Sequence, residues 1–285
     1  MPMMKIGEMD FEVEVAGDQS SDKLALFLHG FPETSYAWRH QMPLFAEMGY
    51  KCWAPNQRGY GKTSSPQDIA SYKGEHLVDD VVKLIDASKC KSVTLIAHDL
   101  GAVIAWRFAL TMPRPIDKLI IMNVPHPKVF AEEIKKWRQL KKSWYVFMFQ
   151  LPKLPEYFLT KDHADKICGL FYKAFVEKSK VSKTAVDIYV ENALRPGGMT
   201  AMLNWYRAAI RSPYTKGQNN MIEVPTLMIW GEKDVALGIE CSYGTEKFVK
   251  NLTLHYLPDT GHFVQEESPE KVNQLITTWL QKCVT

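Results

Sequence analysis

A short apolar run, Val93 to Ala97, ends in Ala97-His98-Asp99-Leu100-Gly101, and a helical pattern follows at once. Asp99 therefore stands at a strand-to-helix turn, a place that can hold a side chain out for attack. An ionised aspartate there attacks a saturated, electrophilic carbon and becomes the acid half of an alkyl ester, which water must then cleave. Three-membered cyclic ethers and carbon–halogen bonds suit such a nucleophile. Cleaving the ester needs a base near neutral pH and a partner that fixes its tautomer. His262, in Asp259-Thr260-Gly261-His262-Phe263, follows the last core run and supplies the base. Asp234, in Trp230-Gly231-Glu232-Lys233-Asp234, follows the preceding run and supplies the orienting carboxylate.

Those residues need a frame. Met9 to Val15 alternates apolar and acidic side chains, as a half-exposed antiparallel strand does. Leu24–Leu28, Lys51–Pro55, Val93–Ala97, Leu119–Met122, Thr226–Trp230 and Thr253–Leu257 are short, mostly apolar runs separated by helical stretches. Helices are expected over Tyr36–Met48, Gly74–Ser88, Ala102–Met112 and Pro269–Cys283. Apolar strands alternating with helices predict an α/β fold with a mostly parallel sheet covered on both faces. The alternation pauses from Val124 to about Tyr214, a stretch rich in Trp, Tyr, Phe and Lys with no clear strand. The expected organisation is a core formed by 1–123 and 215–285, with a helical cap at 124–214 over the carboxyl ends of the strands.

Bulk composition narrows the classes. A chain of 285 residues, 46% hydrophobic, can bury a large core and fits one catalytic domain with an insertion better than a small binding module. The net charge of +3 and the absence of a nucleic-acid motif argue against nucleic acid as a partner. Lys135, Lys136, Arg138, Lys141 and Lys142 read as the solvated face of one helix. Cys52, Cys90, Cys168, Cys241 and Cys283 form no Cys-x-x-Cys pair, and their odd number suits reduced thiols. No metal or cofactor is implied. The N-terminus lacks a signal peptide, and no apolar run approaches the ~20 residues of a membrane span, so a cytoplasmic protein is expected.

The order nucleophile, acid, histidine matches the α/β-hydrolase pattern. In that pattern the turn His29-Gly30-Phe31-Pro32 donates one backbone N–H to an oxyanion hole, and the residue after the nucleophile donates the second. The donors here are the amides of Phe31 and Leu100. A tight turn could hold the Phe31–Pro32 bond cis. His98, one residue from Asp99, should point away from the cleft and pack or bond structurally. His40, His76, His163 and His255 read as polar loop, and Glu33 and Asp80 as surface carboxylates without a partner.

Taken with Asn123-Val124-Pro125-His126-Pro127, these motifs resemble the soluble α/β-hydrolase-fold epoxide hydrolases over nearly the whole chain. The resemblance implies opening of epoxides to vicinal diols, with two cap tyrosines as ring-opening acids. The matching segments are Ser143-Trp144-Tyr145 and Asn204-Trp205-Tyr206-Arg207, which gives Tyr145 and Tyr206; Tyr157, Tyr172, Tyr189 and Tyr214 fit aromatic cap core better. A phenol suits that task because ring opening releases an alkoxide, and a hydroxyl of pKa near 10 stays protonated to donate to it. Many members of the family carry Trp after the nucleophile, where this chain has Leu100, whose smaller side chain should line and widen the pocket floor. The pocket is expected to be apolar, built from His29, Pro32, Trp38, Trp144, Phe147, Met148, Trp205 and Phe263, and to take a lipophilic epoxide with water as co-substrate. A homo-oligomer is compatible with the sequence. A dehalogenase would share Asp99 and His262, but haloalkane dehalogenases resemble His-Gly-Asn-Pro with Trp after the nucleophile, and fluoroacetate dehalogenases place Arg there. A non-catalytic ligand-binding member of the fold is opposed by the complete set Asp99, Asp234 and His262.

Overall fold

A computed structural model describes residues 1–213 and 220–282 of the protein. Eight strands form one sheet in the order β1-β2-β4-β3-β5-β6-β7-β8. They are β1 (Met3–Ile6), β2 (Met9–Gly17), β3 (Lys23–Leu28), β4 (Lys51–Pro55), β5 (Ser92–His98), β6 (Lys118–Met122), β7 (Thr226–Gly231) and β8 (Leu252–Leu257). The β1–β2 and β2–β4 pairs are antiparallel and the rest are parallel. The sheet matches the strands expected from the apolar runs and adds β1, four residues long, which no such run announces.

Continuous apolar strands are explained by burial on both faces, with alternate residues serving two cores. Leu26, Leu28, Leu95, Ala97, Leu119 and Ile121 pack to one side with α2 (Gly74–Ser88) and α3 (Asp99–Thr111). Phe27, Ile96, Ile120, Met122 and Ile229 pack to the other with α1 (Met42–Glu47) and α11 (Pro269–Lys282). The helix expected over Tyr36–Met48 is broken into a 3-10 turn at Ser35–Trp38 and α1. Pro43 lies in the first turn of α1, where its missing N–H costs nothing, and could not sit inside a helix running through from Tyr36.

Between β6 and β7 the chain forms α4 (Pro127–Glu133), α5 (Trp137–Lys142), α6 (Trp144–Met148), α7 (Leu154–Ala174), α8 (Lys183–Leu194) and α9 (Gly198–Arg211). The single basic helix expected for these five cations is shorter: Lys135 and Lys136 lie between α4 and α5, α5 carries Arg138, Lys141 and Lys142, and Lys136 and Arg138 are paired with Glu133. α7 bends at Lys161 and passes through left-handed backbone at Asp162, His163 and Ala164. Arg207 ties the inserted helices together, donating to the Glu156 carboxylate at 2.7 Å and to the carbonyls of Phe149 and Leu151. The inserted stretch is also sewn to the last loop of the core. The Ala174 carbonyl accepts from His262 N–H at 3.1 Å, and the Glu267 carboxylate from Val176 and Gly261 N–H. Residues Val264–Glu267 form a short α10.

Of the tyrosines expected in an aromatic core, Tyr189 is buried, whereas Tyr157 and Tyr172 are exposed on the inserted helices. Tyr214 and Cys283 lie outside the described residues, as does the 214/215 boundary. Cys52, Cys90, Cys168 and Cys241 are free thiols. Among the described residues no helix is long and apolar enough to cross a membrane.

Candidate active site

Parallel register brings the carboxyl ends of β3, β5, β6, β7 and β8 level, so the loops after them meet. Asp99 opens α3 directly from β5 with φ of +45°, left-handed backbone that is costly for a residue with a Cβ and that lifts the carboxylate out of the turn. Gly30 faces it closely: a Cβ at Gly30 would lie 2.7 Å from Asp99 Cγ and nearer still to Asp99 Cβ and Oδ1. The approach lets Phe31 N–H donate to Asp99 Oδ1 at 2.7 Å. The Phe31–Pro32 bond is cis. Leu100 N–H, in the first turn of α3, is one of the amides that a helix start leaves without an intrahelical acceptor. The Leu100 side chain packs against the core and does not line the cavity, contrary to the expected pocket floor.

On the other side of the carboxylate, His262 Nε2 is 3.4 Å from Asp99 Oδ2, and its Nδ1 is 2.7 Å from Asp234 Oδ2. Asp234 Oδ1 accepts from the N–H groups of Ala236 and Leu237, and Asn123 Nδ2 donates to Oδ2 at 2.7 Å. Asn123 also accepts from Gly231 N–H, and its own φ is +49°. It is thus a positioning residue for the acid; the Asn-x-Pro-His-Pro stretch was the signal that could have marked it. Burial alone would raise Asp99, but the hydrogen bond and charge of His262 outweigh it and hold the carboxyl below the ordinary value. Asp234 is lowered in the same way, burial being overcome by His262 and Asn123. Burial would lower His262, and the two carboxylates override it, so the imidazole is held well above 6.5.

His98 turns away from the cavity, as expected. Its Nδ1 is 2.9 Å from Glu33 Oε2 and its Nε2 3.0 Å from the carbonyl of His262. Glu33 is fully buried, accepting also from Gly30 N–H and Gln265 Nε2, and so is no surface carboxylate. Asp80 is likewise buried, paired through both oxygens with Arg58 at 2.6 and 2.8 Å. Of the histidines expected in loops, His76 lies in α2 and His255 in β8, and none lines the cavity.

Above Asp99 and His262 lies a cavity of about 450 Å³. Tyr145 from α6 and Tyr206 from α9 enter it, their rings 6.2 Å apart at 81° and both packed on Phe149. Tyr206 also meets Phe31 edge-on at 5.6 Å. Burial first, then the Asp99 charge, pushes both phenols above their ordinary value, so they remain protonated donors. Of the expected pocket residues, Pro32, Trp144 and Phe263 line the cavity.

His29, Trp38, Phe147, Met148 and Trp205 do not. His29 is buried beneath the turn, accepting from Gln57 N–H and lying against Tyr60. Trp38 packs on Phe27 in the opposite core. Phe147 faces outward, Met148 packs on the core, and Trp205 donates to the carbonyl of Arg58 and meets the Tyr60 ring edge-on. Their places are taken by Phe149, Leu170, Phe171, Ala174, Val235 and Ala236, with Lys142 and Lys173 as the added cations. Lys142 Nζ donates to the Asp234 carbonyl at 2.7 Å and so is not simply part of a solvated face.

An acid at a sharp strand–helix turn, with a histidine–carboxylate pair after later strands of one parallel sheet, defines a class, and comparison bears on it directly. The α/β-hydrolase-fold family matches residues 26–269. An α/β-hydrolase superfamily protein of Bacillus subtilis, YfhM, is 36% identical over 93% of each chain. Human epoxide hydrolase 4 is 34% identical over 94% of this chain and 75% of its own length. A point mutant of a Bacillus megaterium epoxide hydrolase, solved with its product (R)-3-[1]naphthyloxy-propane-1,2-diol, superposes with a TM-score of 0.88 at 29% identity, over 98% of this chain and all of that one. This chain belongs to the α/β-hydrolase family, in the branch of the epoxide hydrolases.

Proposed function

We propose that the protein hydrolyses lipophilic epoxides to vicinal diols through a covalent ester on Asp99, under a cap formed by residues 124–214. One observation carries the proposal: a carboxylate bonded at one oxygen to a backbone amide and facing a histidine at the other shares a mostly apolar cavity with two phenols.

In the first step Asp99 attacks a ring carbon, the carbon–oxygen bond of the epoxide breaks, and Tyr145 and Tyr206 donate to the departing oxygen, one delivering its proton. The product is an alkyl ester. Esterification removes the Asp99 charge, which is one of the two anions holding His262 protonated, so the imidazolium gives its proton through solvent to the phenolate left by ring opening and becomes a base at the stage that needs one. Water gives a proton to His262, oriented by Asp234, and its oxygen adds to the Asp99 carbonyl carbon. The resulting oxyanion is held by the amides of Phe31 and Leu100. On collapse the proton of the newly formed carboxyl passes to the departing alkoxide, which restores the Asp99 carboxylate, releases the diol and leaves His262 protonated as at the start.

The relative solved with an aryloxy diol supports a substrate with an aromatic group on a short linker, which the rings of Trp144, Phe149, Phe171 and Phe263 could accommodate. The test is one turnover in heavy-oxygen water with diol quantified by chromatography. The label should appear in the Asp99 carboxylate while the first diol stays unlabelled, and Asp99→Asn should yield no diol. Label in the first diol would mean direct attack by water. Bromide release from a bromoalkane without diol from any epoxide would favour the dehalogenase chemistry that the same nucleophile can perform.

A further inference from the structure

The helices over the cavity carry an unusual outer face. Nine of the eighteen large apolar side chains left exposed among the described residues lie within α5 to α7, including Trp137, Trp144, Phe147, Tyr157 and Phe158. Single exposed hydrophobics are ordinary, but a concentration of this kind marks a surface that meets something. Trp144 and Phe147 are neighbours three apart on α6, and Leu154 is followed at three and four by Tyr157 and Phe158 on α7, so each helix presents a stripe outward. Trp144 and Leu170 are both exposed and line the cavity, which makes the apolar face continuous with the cavity mouth.

Charge identifies the occupant. Residues 137–174 hold seven Lys and Arg against three Asp and Glu, a local net charge of +4 in a chain whose total is +3. Glu156 pairs with Arg207, Arg138 with Glu133 and Glu240, and Lys161 with Asp162, which leaves five Lys against Asp165. Exposed aromatics interleaved with lysines, such as Trp137 beneath Lys141 at 5.0 Å, fit the boundary between headgroups and acyl chains. A second copy of the chain would set +4 against +4 across a two-fold interface, which disfavours self-association through this face.

From this we infer that the outer face of α5–α7 docks on an anionic lipid surface, with the cavity mouth turned toward the bilayer. The inference rests on exposure and charge alone and stands apart from the assigned chemistry. Juxtamembrane lysines each contribute about fivefold in affinity for an anionic surface, so removing two should weaken binding roughly thirtyfold.

The experiment is co-sedimentation of the whole protein with vesicles of phosphatidylcholine alone or mixed with phosphatidylglycerol, at low salt and at about 0.5 M salt. Size-exclusion chromatography with light scattering runs alongside without lipid. Binding should be at least tenfold tighter to the mixed vesicles and be lost at high salt. The double variants Trp137→Ala/Phe158→Ala and Lys141→Glu/Lys166→Glu should each lose most of it. Neither pair lines the cavity, so diol formation from a dissolved epoxide should match the parent and would show that both variants fold. The inference fails if the two vesicle types bind equally, if neither binds, or if the variants bind like the parent. A dimer in the absence of lipid that Trp137→Ala/Phe158→Ala converts to monomer would give the face to a second copy instead.

Discussion

Gly30→Ala isolates the contact between the turn and Asp99, the proposed nucleophile. Gly30 does not have positive φ, so alanine meets no backbone objection there. The obstacle is space: the new Cβ would fall 2.7 Å from Asp99 Cγ, and the carboxylate has no longer lever to swing aside. It must move off the Phe31 amide, which donates to Oδ1 at 2.7 Å. Losing one oxyanion donor costs about 2.7–4 kcal/mol, or roughly 100- to 1,000-fold in rate. Because the displaced group is also the nucleophile, both the esterification and the ester-hydrolysis steps should slow. Rapid-quench single turnovers separate the two, and urea denaturation should reveal an overpacking cost of about 1–3 kcal/mol. Gly49→Ala is the control. Its φ is +79° with nothing within 4 Å, so it should lose about 1 kcal/mol from backbone strain and keep full activity. A folded Gly30→Ala protein within tenfold of the parent in both steps would refute the geometry assigned to Asp99 and Phe31.

Tyr145→Phe and Tyr206→Phe should each slow esterification roughly 100- to 10,000-fold while leaving hydrolysis of a preformed ester unchanged, as burst kinetics would report; equal effects on both steps would remove the phenols from ring opening. Because both phenols are raised above 10, the alkaline limb of the esterification rate should lie beyond pH 10, and a limb below it would argue against them. Glu266, pushed up to about 7 chiefly by burial, is held between Arg39 and the Tyr189 hydroxyl. A carboxyl raised on folding contributes stability that is full below its ordinary 4.5 and lost as pH climbs through 7, so the urea midpoint should fall from pH 5 to pH 8, and Glu266→Gln should flatten that slope. Asp80→Ala strands the Arg58 guanidinium in the interior and should cost about 3–5 kcal/mol by urea denaturation, with activity per folded molecule unchanged.

The frame of the sheet was legible because central strands buried on both faces, such as Leu95 to Ala97 and Leu119 to Met122, read as unbroken apolar runs bounded by turns. Asp99 and Asp234 were legible because each follows such a run, and His262 because it follows the half-buried edge strand β8; parallel register then carries all three to one edge. What stayed hidden was set by distance along the chain. Glu33 meets His98 from 65 positions away and Asp80 meets Arg58 from 22, and no local pattern announces a partner so remote. Aromatic residues misled for a related reason: Trp38 and Trp205 look the same in sequence whether they fill a core or wall a cavity. Lys142 sat in a run of cations, and only the fold could single out the one that reaches the Asp234 carbonyl.

The proposed nucleophile and base hang from loops of the sheet, moored underneath by His98, Glu33 and Asn123, whereas both phenols ride on helices inserted between Met122 and Thr226. On the proposed chemistry, recognition of the incoming electrophile and disposal of the ester fall to different stretches of polypeptide, joined where the Ala174 carbonyl accepts from His262 N–H and Lys142 reaches the Asp234 carbonyl. Transplanting the inserted stretch from a relative should rewrite which rings are opened and on which carbon, and should leave ester hydrolysis intact only where the replacement keeps the contacts made by Ala174 and Lys142.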